Sequence, residues 1–461
     1  MKTIKKILKE ENTLSLAGNL VIALFGIAGF SLMARSFSAS IFGQWVLLIS
    51  AGSLVEMIRF GITSTGLVRY LSGADGDQRK HLIGSNALIG LMATLVVAAL
   101  LFAFRSFFPA AIARSGYGLF FKWYPLIALV NLPWNNATVV LQADRSFGKI
   151  LILKAVNSGG IFLSITASFF LLHWSVDQLA LMLVVTNSVT SLISLSKGWD
   201  GIHLLGKAHR TSNAQLLHFG KYTTLTMVGT NLLRSADTFI ISLSPLGSAA
   251  VALYSIPMKL TELQQIPLRS FTATAFPKMS RASIQGKMEE VKHFFYTYAG
   301  AITLLFLLVS CGTFLFADTF VVLLGGKKYL GTDPVTGFNA ASIVRVFSIY
   351  GLLLPIDRMT GIALDSINRP SVNARKVVFM LSANIIGDVI AVYVFHSLVL
   401  VAVASILFTL VGIYVGMRFL QKDLGLKYEP IFRGGLQFYK SYASRGRMHS
   451  ISLQTKGMAK P

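Results

Sequence analysis

The chemistry in this chain begins with ionisable residues set inside stretches otherwise too apolar to hold them. Glu56 and Arg59, Arg234 and Asp237, and Lys259 and Glu262 each stand three residues apart. On a helix that spacing puts both partners on one face, so each pair can close its own salt bridge. Arg269 and Arg345 have no acid three or four residues away, and Asp388 sits alone in an apolar run. A charge at the bilayer centre costs about 2.5–3.5 kcal/mol on insertion scales, so each of these groups needs a partner or a watery cavity. Cations bordering such a cavity suit an anionic cargo group such as phosphate, which arginine grips through two parallel hydrogen bonds. Arg59, Arg234, Lys259 and Arg269, with the acids Glu56, Asp237 and Glu262, are therefore the candidate cargo-binding residues. A buried carboxylate can also carry a proton or a sodium ion, and Asp388 and Asp237 are the candidates for coupling to an ion gradient. A plainer reading stands beside this one, in which the three close pairs are structural bridges holding helices in register.

Other chemistries find no residues to perform them. Gly325, Gly326 and Lys327 lack the upstream spacing of a phosphate-cradling loop, and the eight histidines are scattered. Cys311 is the one cysteine, which excludes an intramolecular disulfide and a Cys-rich zinc site. No Ser-His-Asp or Cys-His grouping suggests itself, so the sequence offers neither a catalytic constellation nor a metal site. Asn131, Asn135 and Asn136 beside Trp134 could contact sugar hydroxyls, but membrane asparagines more often hydrogen-bond between helices. Pro257, Pro267 and Pro355 interrupt helical hydrogen bonding and permit bending.

The elements that must position these groups follow from composition. Of 461 residues, 54% are hydrophobic and 13% charged, about half the charge of a soluble chain, so the main solvent is lipid. A helix crosses the hydrocarbon core in about 20 residues. Twelve stretches have that length: Leu14–Ala34, Ile41–Leu67, Leu82–Phe104, Trp123–Ala143, Leu151–Leu172, Gln178–Ser196, Tyr222–Leu243, Ala249–Phe276, Phe294–Ala317, Ala340–Ile367, Val377–Phe395 and Leu398–Gly416. The net charge of +23 raises the question of nucleic acid, but most of the Lys and Arg fall in short connectors between spans. With Met1 cytoplasmic, 28 lie on the inner side, Lys376 among them, and six on the outer. That asymmetry predicts two cytoplasmic termini.

The longest inner connector splits the spans evenly. The expected organisation is a basic N-terminus (1–13), an N-lobe of six spans (14–197), a cytoplasmic linker (198–221), a C-lobe of six spans (222–420) and a basic cytoplasmic tail (421–461). Phe432, Phe438, Tyr439 and Tyr442 interleave with the tail's cations, which suits the anionic inner leaflet or a disordered segment.

Several short patterns carry a resemblance: Phe42-Gly43-Gln44-Trp45 opening span two, Phe60-Gly61-Ile62 followed by Arg69, and Ala252-Leu253-Tyr254-Ser255 opening span eight. Phe276-Pro277-Lys278-Met279-Ser280-Arg281 closes span eight, and Leu364-Asp365-Ser366-Ile367-Asn368-Arg369-Pro370 closes span ten. In order and spacing the chain resembles the Wzx-type polysaccharide flippases, within the superfamily that also holds the MATE multidrug exporters and lipid II flippases. The resemblance implies an all-α integral membrane protein of twelve transmembrane helices, in two six-helix lobes around a central cavity, with a MATE-like fold. It implies a transporter rather than an enzyme, one that flips undecaprenyl-pyrophosphate-linked oligosaccharide across the bacterial inner membrane by alternating access. No cofactor is implied beyond proton or sodium coupling, and the partners are the lipid-linked cargo, membrane lipids and polysaccharide-assembly proteins, not nucleic acid. Many relatives have an acid just before the Phe-Gly of span two, where this chain has Arg59. A MATE-like exporter of cationic drugs is the alternative, but its cavity would be dominated by carboxylates. A polysaccharide polymerase or ligase would need a long outward loop with catalytic Arg or His, which this chain lacks.

Overall fold

A computed structural model describes residues 11–71, 74–144, 146–331 and 339–441. Side chains are described throughout these except at 11–22, 222–223, 225–226, 230, 233–234 and 273. Every regular element among the described residues is helical. The helices are α1 (Glu11–Ser36), α2 (Ala39–Gly61), α3 (Ser64–Leu71), α4 (Gly76–Phe107), α5 (Pro109–Ser115), α6 (Gly118–Val130), α7 (Leu132–Ala143), α8 (Phe147–Ala167) and α9 (Val176–Ser196). They continue as α10 (Arg210–Leu243), α11 (Gly247–Ile284), α12 (Met288–Leu315), α13 (Ala317–Gly325), α14 (Ala340–Ser366), α15 (Pro370–Val389), α16 (Leu398–Leu424) and α17 (429–441).

Each expected span falls on one of these helices or on two in succession, and among the described residues eight helical segments are long and apolar enough to cross a membrane. Large apolar side chains stay exposed along them, as at Leu100, Phe107, Leu171 and Leu308. Such surfaces need a lipid solvent. Local chemistry sets the helix ends. Ser175 and Gln178 form a reciprocal cap that opens α9. Pro370 occupies the first turn of α15, and Gly425 in the left-handed region terminates α16.

Two compact units emerge, Met1–Leu253 with Leu323–Gly326, and Tyr254–Val322 with Lys327–Pro461. The sequence divides the chain earlier, at the linker 198–221. In the structure, 210–221 is already the first third of α10, which joins the first unit through glycines. A Cβ on Gly220 would run into the backbone of Ile62, and one on Gly43 into the backbone of Ser248. Close backbone approach of this kind is how membrane helices gain packing contact where the hydrophobic effect gives none. Elsewhere in the first unit, α1 lies on α8 with Phe25 stacked on Phe162 at 5.0 Å.

The second unit has its own core, in which Phe295, Ile302 and Phe306 of α12 meet Met359 and Leu364 of α14 and Met417 and Leu420 of α16. Gly412 and Gly416 line the face of α16 turned toward α14 and α15, where added Cβ atoms would meet Asp357, Thr360 and Met380.

Candidate functional site

In the first unit the polar centre is Arg59. It sits near the end of α2 and is fully buried. Nη2 donates to Thr94 Oγ1 and to the Ala128 carbonyl, both at 2.6 Å; Nε reaches Thr94 Oγ1 at 3.2 Å and Nη1 reaches Asn131 Oδ1 at 3.3 Å. The acceptors exist because span four is broken. Pro133 cannot continue the hydrogen-bond ladder of α6, so α6 stops at Val130 and α7 begins at Leu132. That break leaves terminal carbonyls such as Ala128 open to a side-chain donor.

The expected direct Glu56–Arg59 bridge is replaced by a relay. Asn131 donates its amide Nδ2 to Glu56 Oε1 and accepts from Arg59 on its Oδ1. A cation with this many fixed acceptors and no exposed surface does not face water, so Arg59 acts here as the node of an interhelical network. Asn136 accepts from Asn86 at 3.3 Å, and Trp134 Nε1 donates to Asn187 at 2.9 Å. The asparagine-rich break is thus an internal seam, the plainer of its two sequence readings.

Of the second pair, Asp237 is 6% exposed on α10. The side chain of Arg234 lies outside the described residues, so their pairing does too.

The third pair closes as the spacing suggests, with Lys259 Nζ 2.7 Å from Glu262 Oε2. Both lie on α11 in the second unit. At about 100° per residue, Glu262, Ile266 and Arg269 stack along one stripe of that helix, with Lys259 beside it. The stripe is exposed: Glu262, Ile266, Arg269 and Ser270 all reach the surface. Lys259 is held by its acid, whereas Arg269 makes no ion pair among the described residues. Among the candidate cargo-binding residues whose side chains are described, this stripe is the accessible cationic surface.

Two further groups in the second unit complete the picture. Asp388 and Asn384 are fully buried on α15, and Asn384 Nδ2 donates to Asp388 Oδ2 at 3.0 Å. Ser405 and Thr409 are buried on α16, which packs on α15.

Sequence reasoning missed the other group. Lys376, counted above as an inner connector cation, is 3% exposed and ion-paired to Asp357 Oδ1 at 2.6 Å. Its Nζ also donates to the Asp357 carbonyl at 2.7 Å and to Thr360 Oγ1 at 2.9 Å. The pair joins α14 to α15 beneath the glycine face of α16. Arg345 is likewise not a lone cation, because Asp318 of α13 pairs with it at 2.5 Å. Both acids lie too far along the chain for helical spacing to disclose. Among the described residues, no three or more His, Cys, Asp or Glu side chains cluster as metal ligands would.

Comparison with known proteins assigns the architecture. The family model for polysaccharide biosynthesis proteins matches residues 32–334. The chain belongs to that family. It is a multi-pass membrane protein, as its long apolar helices require. A probable low-salt glycan biosynthesis flippase, Agl15 of Haloferax volcanii, is 20% identical over 405 residues, covering 87% of this chain and 81% of its own. Among solved structures, an inward-facing multidrug resistance MATE family transporter of the MOP superfamily superposes with a TM-score of 0.71 at 14% identity. It covers 88% of this chain and 98% of its own. The lipid II flippase MurJ, in an inward closed conformation, gives 0.67 at 12% identity, over 94% and 92%. At these identities the structural likeness speaks for the fold, which is the MATE-like all-α membrane fold.

Proposed function

We propose that the chain flips a lipid-linked oligosaccharide, a surface-polysaccharide precursor on undecaprenyl pyrophosphate, across the bacterial inner membrane by alternating access. The observation that carries this reading is the exposed stripe of α11, where Lys259 is held by Glu262 while Arg269 stays accessible. A guanidinium at membrane depth with free donors is suited to a pyrophosphate. Family membership and a glycan flippase relative over most of the chain support the same cargo class. The protein acts as a transporter and not an enzyme, working alongside polysaccharide-assembly proteins, with both termini in the cytoplasm. Lys259, Glu262 and Arg269 meet the headgroup, and Arg59 with Glu56 holds the first unit's helices in register. Asp388, buried beside Asn384, is the group through which a proton or sodium gradient would drive the cycle, with Asp237 as the second candidate.

Deleting the gene should leave lipid-linked glycan accumulating on the cytoplasmic side and strip the surface of the corresponding polysaccharide. Complementation with Arg269→Ala should fail, and Arg269→Lys should restore partial export. Unchanged surface polysaccharide in the deletion strain would refute the reading. Lost resistance to cationic compounds with normal glycan would favour the drug-exporter alternative.

A further inference from the structure

Beyond the last long helix, α17 (429–441) presents three different faces to its surroundings. One face is packed: Ile431, Gly434 and Gly435 are buried. Gly435 and Gly300 of α12 lie so close that a Cβ on either would strike the other's backbone. Phe438 continues this face, its ring centroid 6.2 Å from that of Phe271 and 6.4 Å from that of Tyr298. Tyr439 Oη donates to the Ala301 carbonyl at 3.1 Å, and the Lys427 amide donates to Tyr296 Oη at 2.8 Å. The helix is therefore docked on α12 and does not trail from it.

The second face is apolar and uncovered. Tyr428, Phe432, Leu436 and Tyr439 are 52%, 51%, 53% and 39% exposed. At about 100° per residue they fall within one quadrant of the helix, next to the packed face. The third face, opposite the packed one, carries Arg433, Lys440, Gln437 and Glu429, with Arg433 bound to Glu429 at 3.3 Å. Lys427 precedes the helix, and the sequence beyond it adds Arg445, Arg447, Lys456 and Lys460 and no acid.

We infer that α17 is an interfacial anchor, whose exposed apolar quadrant inserts into the headgroup–acyl boundary of the anionic cytoplasmic leaflet. The phenol of Tyr428 and the ring of Phe432 beside Leu436 suit that boundary, where an amphipathic ring meets both apolar chain and water. The neighbouring cations and the basic sequence that follows match negative headgroups, and the field of an anionic leaflet favours each such residue within a Debye length. The docked face fixes the depth: the glycine contact with α12 holds the helix at one level and one rotation relative to the spans.

The test uses the full-length chain with its own cysteine replaced (Cys311→Ser) and single cysteines at Phe432, Leu436, Arg433 or Lys440. Each carries a nitroxide label in vesicles of phosphatidylethanolamine with phosphatidylglycerol. Oxygen, which concentrates in the bilayer, should relax the labels at 432 and 436 more than a water-soluble nickel chelate does, and the order should reverse at 433 and 440. Replacing phosphatidylglycerol with neutral phosphatidylcholine should shift 432 and 436 toward the aqueous reading. Phe432→Asp with Leu436→Asp should make a label at Tyr428→Cys aqueous while thermal unfolding stays put, because the packed face is untouched. Chelate access at all four sites overturns the inference. So does shielding of 432 and 436 from both reagents, which would mean that protein, such as a second copy, covers the face. No change on exchanging the lipid removes the anionic leaflet as the partner. None of these readouts depends on whether the chain moves a glycan.

Discussion

Arg59 and Arg269 are both arginines inside apolar helices, and their surroundings assign them opposite work. Removing Arg59 leaves Thr94, Asn131 and Ala128 without their donor in a buried seam, a loss of about 3–5 kcal/mol where a buried charged network is cut. Arg59→Ala should therefore lower the unfolding temperature in detergent and reduce export together. Arg269 is exposed and makes no ion pair among the described residues, so in Arg269→Ala the unfolding temperature should stay near that of the parent while export is lost. Equal thermal losses in the two variants would show that the second arginine is structural as well. The Lys376–Asp357 pair gives a sharper stability test. Lys376→Met alone strands a carboxylate and should cost about 3–5 kcal/mol, whereas Lys376→Met with Asp357→Leu should recover most of that loss, since well-packed apolar residues often replace a buried pair without cost. Denaturation of the single and double variants checks this, and an equally unstable double variant would mean that the pair is needed as charge.

At the scale of elements, glycine decides where helices approach. Gly43→Ala would press a methyl into the backbone of Ser248, and Gly416→Ala would bring one to 2.8 Å from Thr360 Oγ1. Backbone yields less readily than a hydroxyl rotor, so Gly43→Ala should be the more damaging. Gly416→Ala should lose about 1–3 kcal/mol, the usual range for overpacking. Relative expression and melting of the two variants would show the order. The helices themselves were legible in the sequence, because an apolar run of membrane length has few alternatives. Their side-chain pairings were legible only at helical spacing. Lys259 and Glu262 met that condition and closed as expected. Lys376 did not: its acid stands 19 residues upstream across a turn, and its neighbours Arg369 and Arg375 made it look like one more inner-side cation. The relay through Asn131 was hidden for a related reason, since nothing local shows that the break at Pro133 frees a carbonyl for an arginine of another helix.

For the whole molecule, the charge distribution predicts a topology that labelling can read. A membrane-impermeant maleimide added to intact cells should modify a cysteine placed at Lys327, on the outer side, and spare one placed at Lys427 until the membrane is opened. The reverse result would invert every connector at once. The helical membrane class followed from composition and the length of the apolar runs, and the MATE-like fold and the family from short ordered patterns. Cargo contacts did not follow, because whether a charge is sealed or accessible depends on helix rotation, which sequence spacing leaves open.

The buried bond between Lys376 and Asp357 also constrains how the chain is made. Asp357 leaves the ribosome first, and in a half-built protein it would enter the bilayer without its counter-charge, at an expense of about 2.5–3.5 kcal/mol. Lys376 follows within one hairpin, so α14 and α15 are best released from the translocon sideways as a neutralised couple. A nascent chain halted between them should linger in the translocon, and one long enough to include Lys376 should pass into lipid.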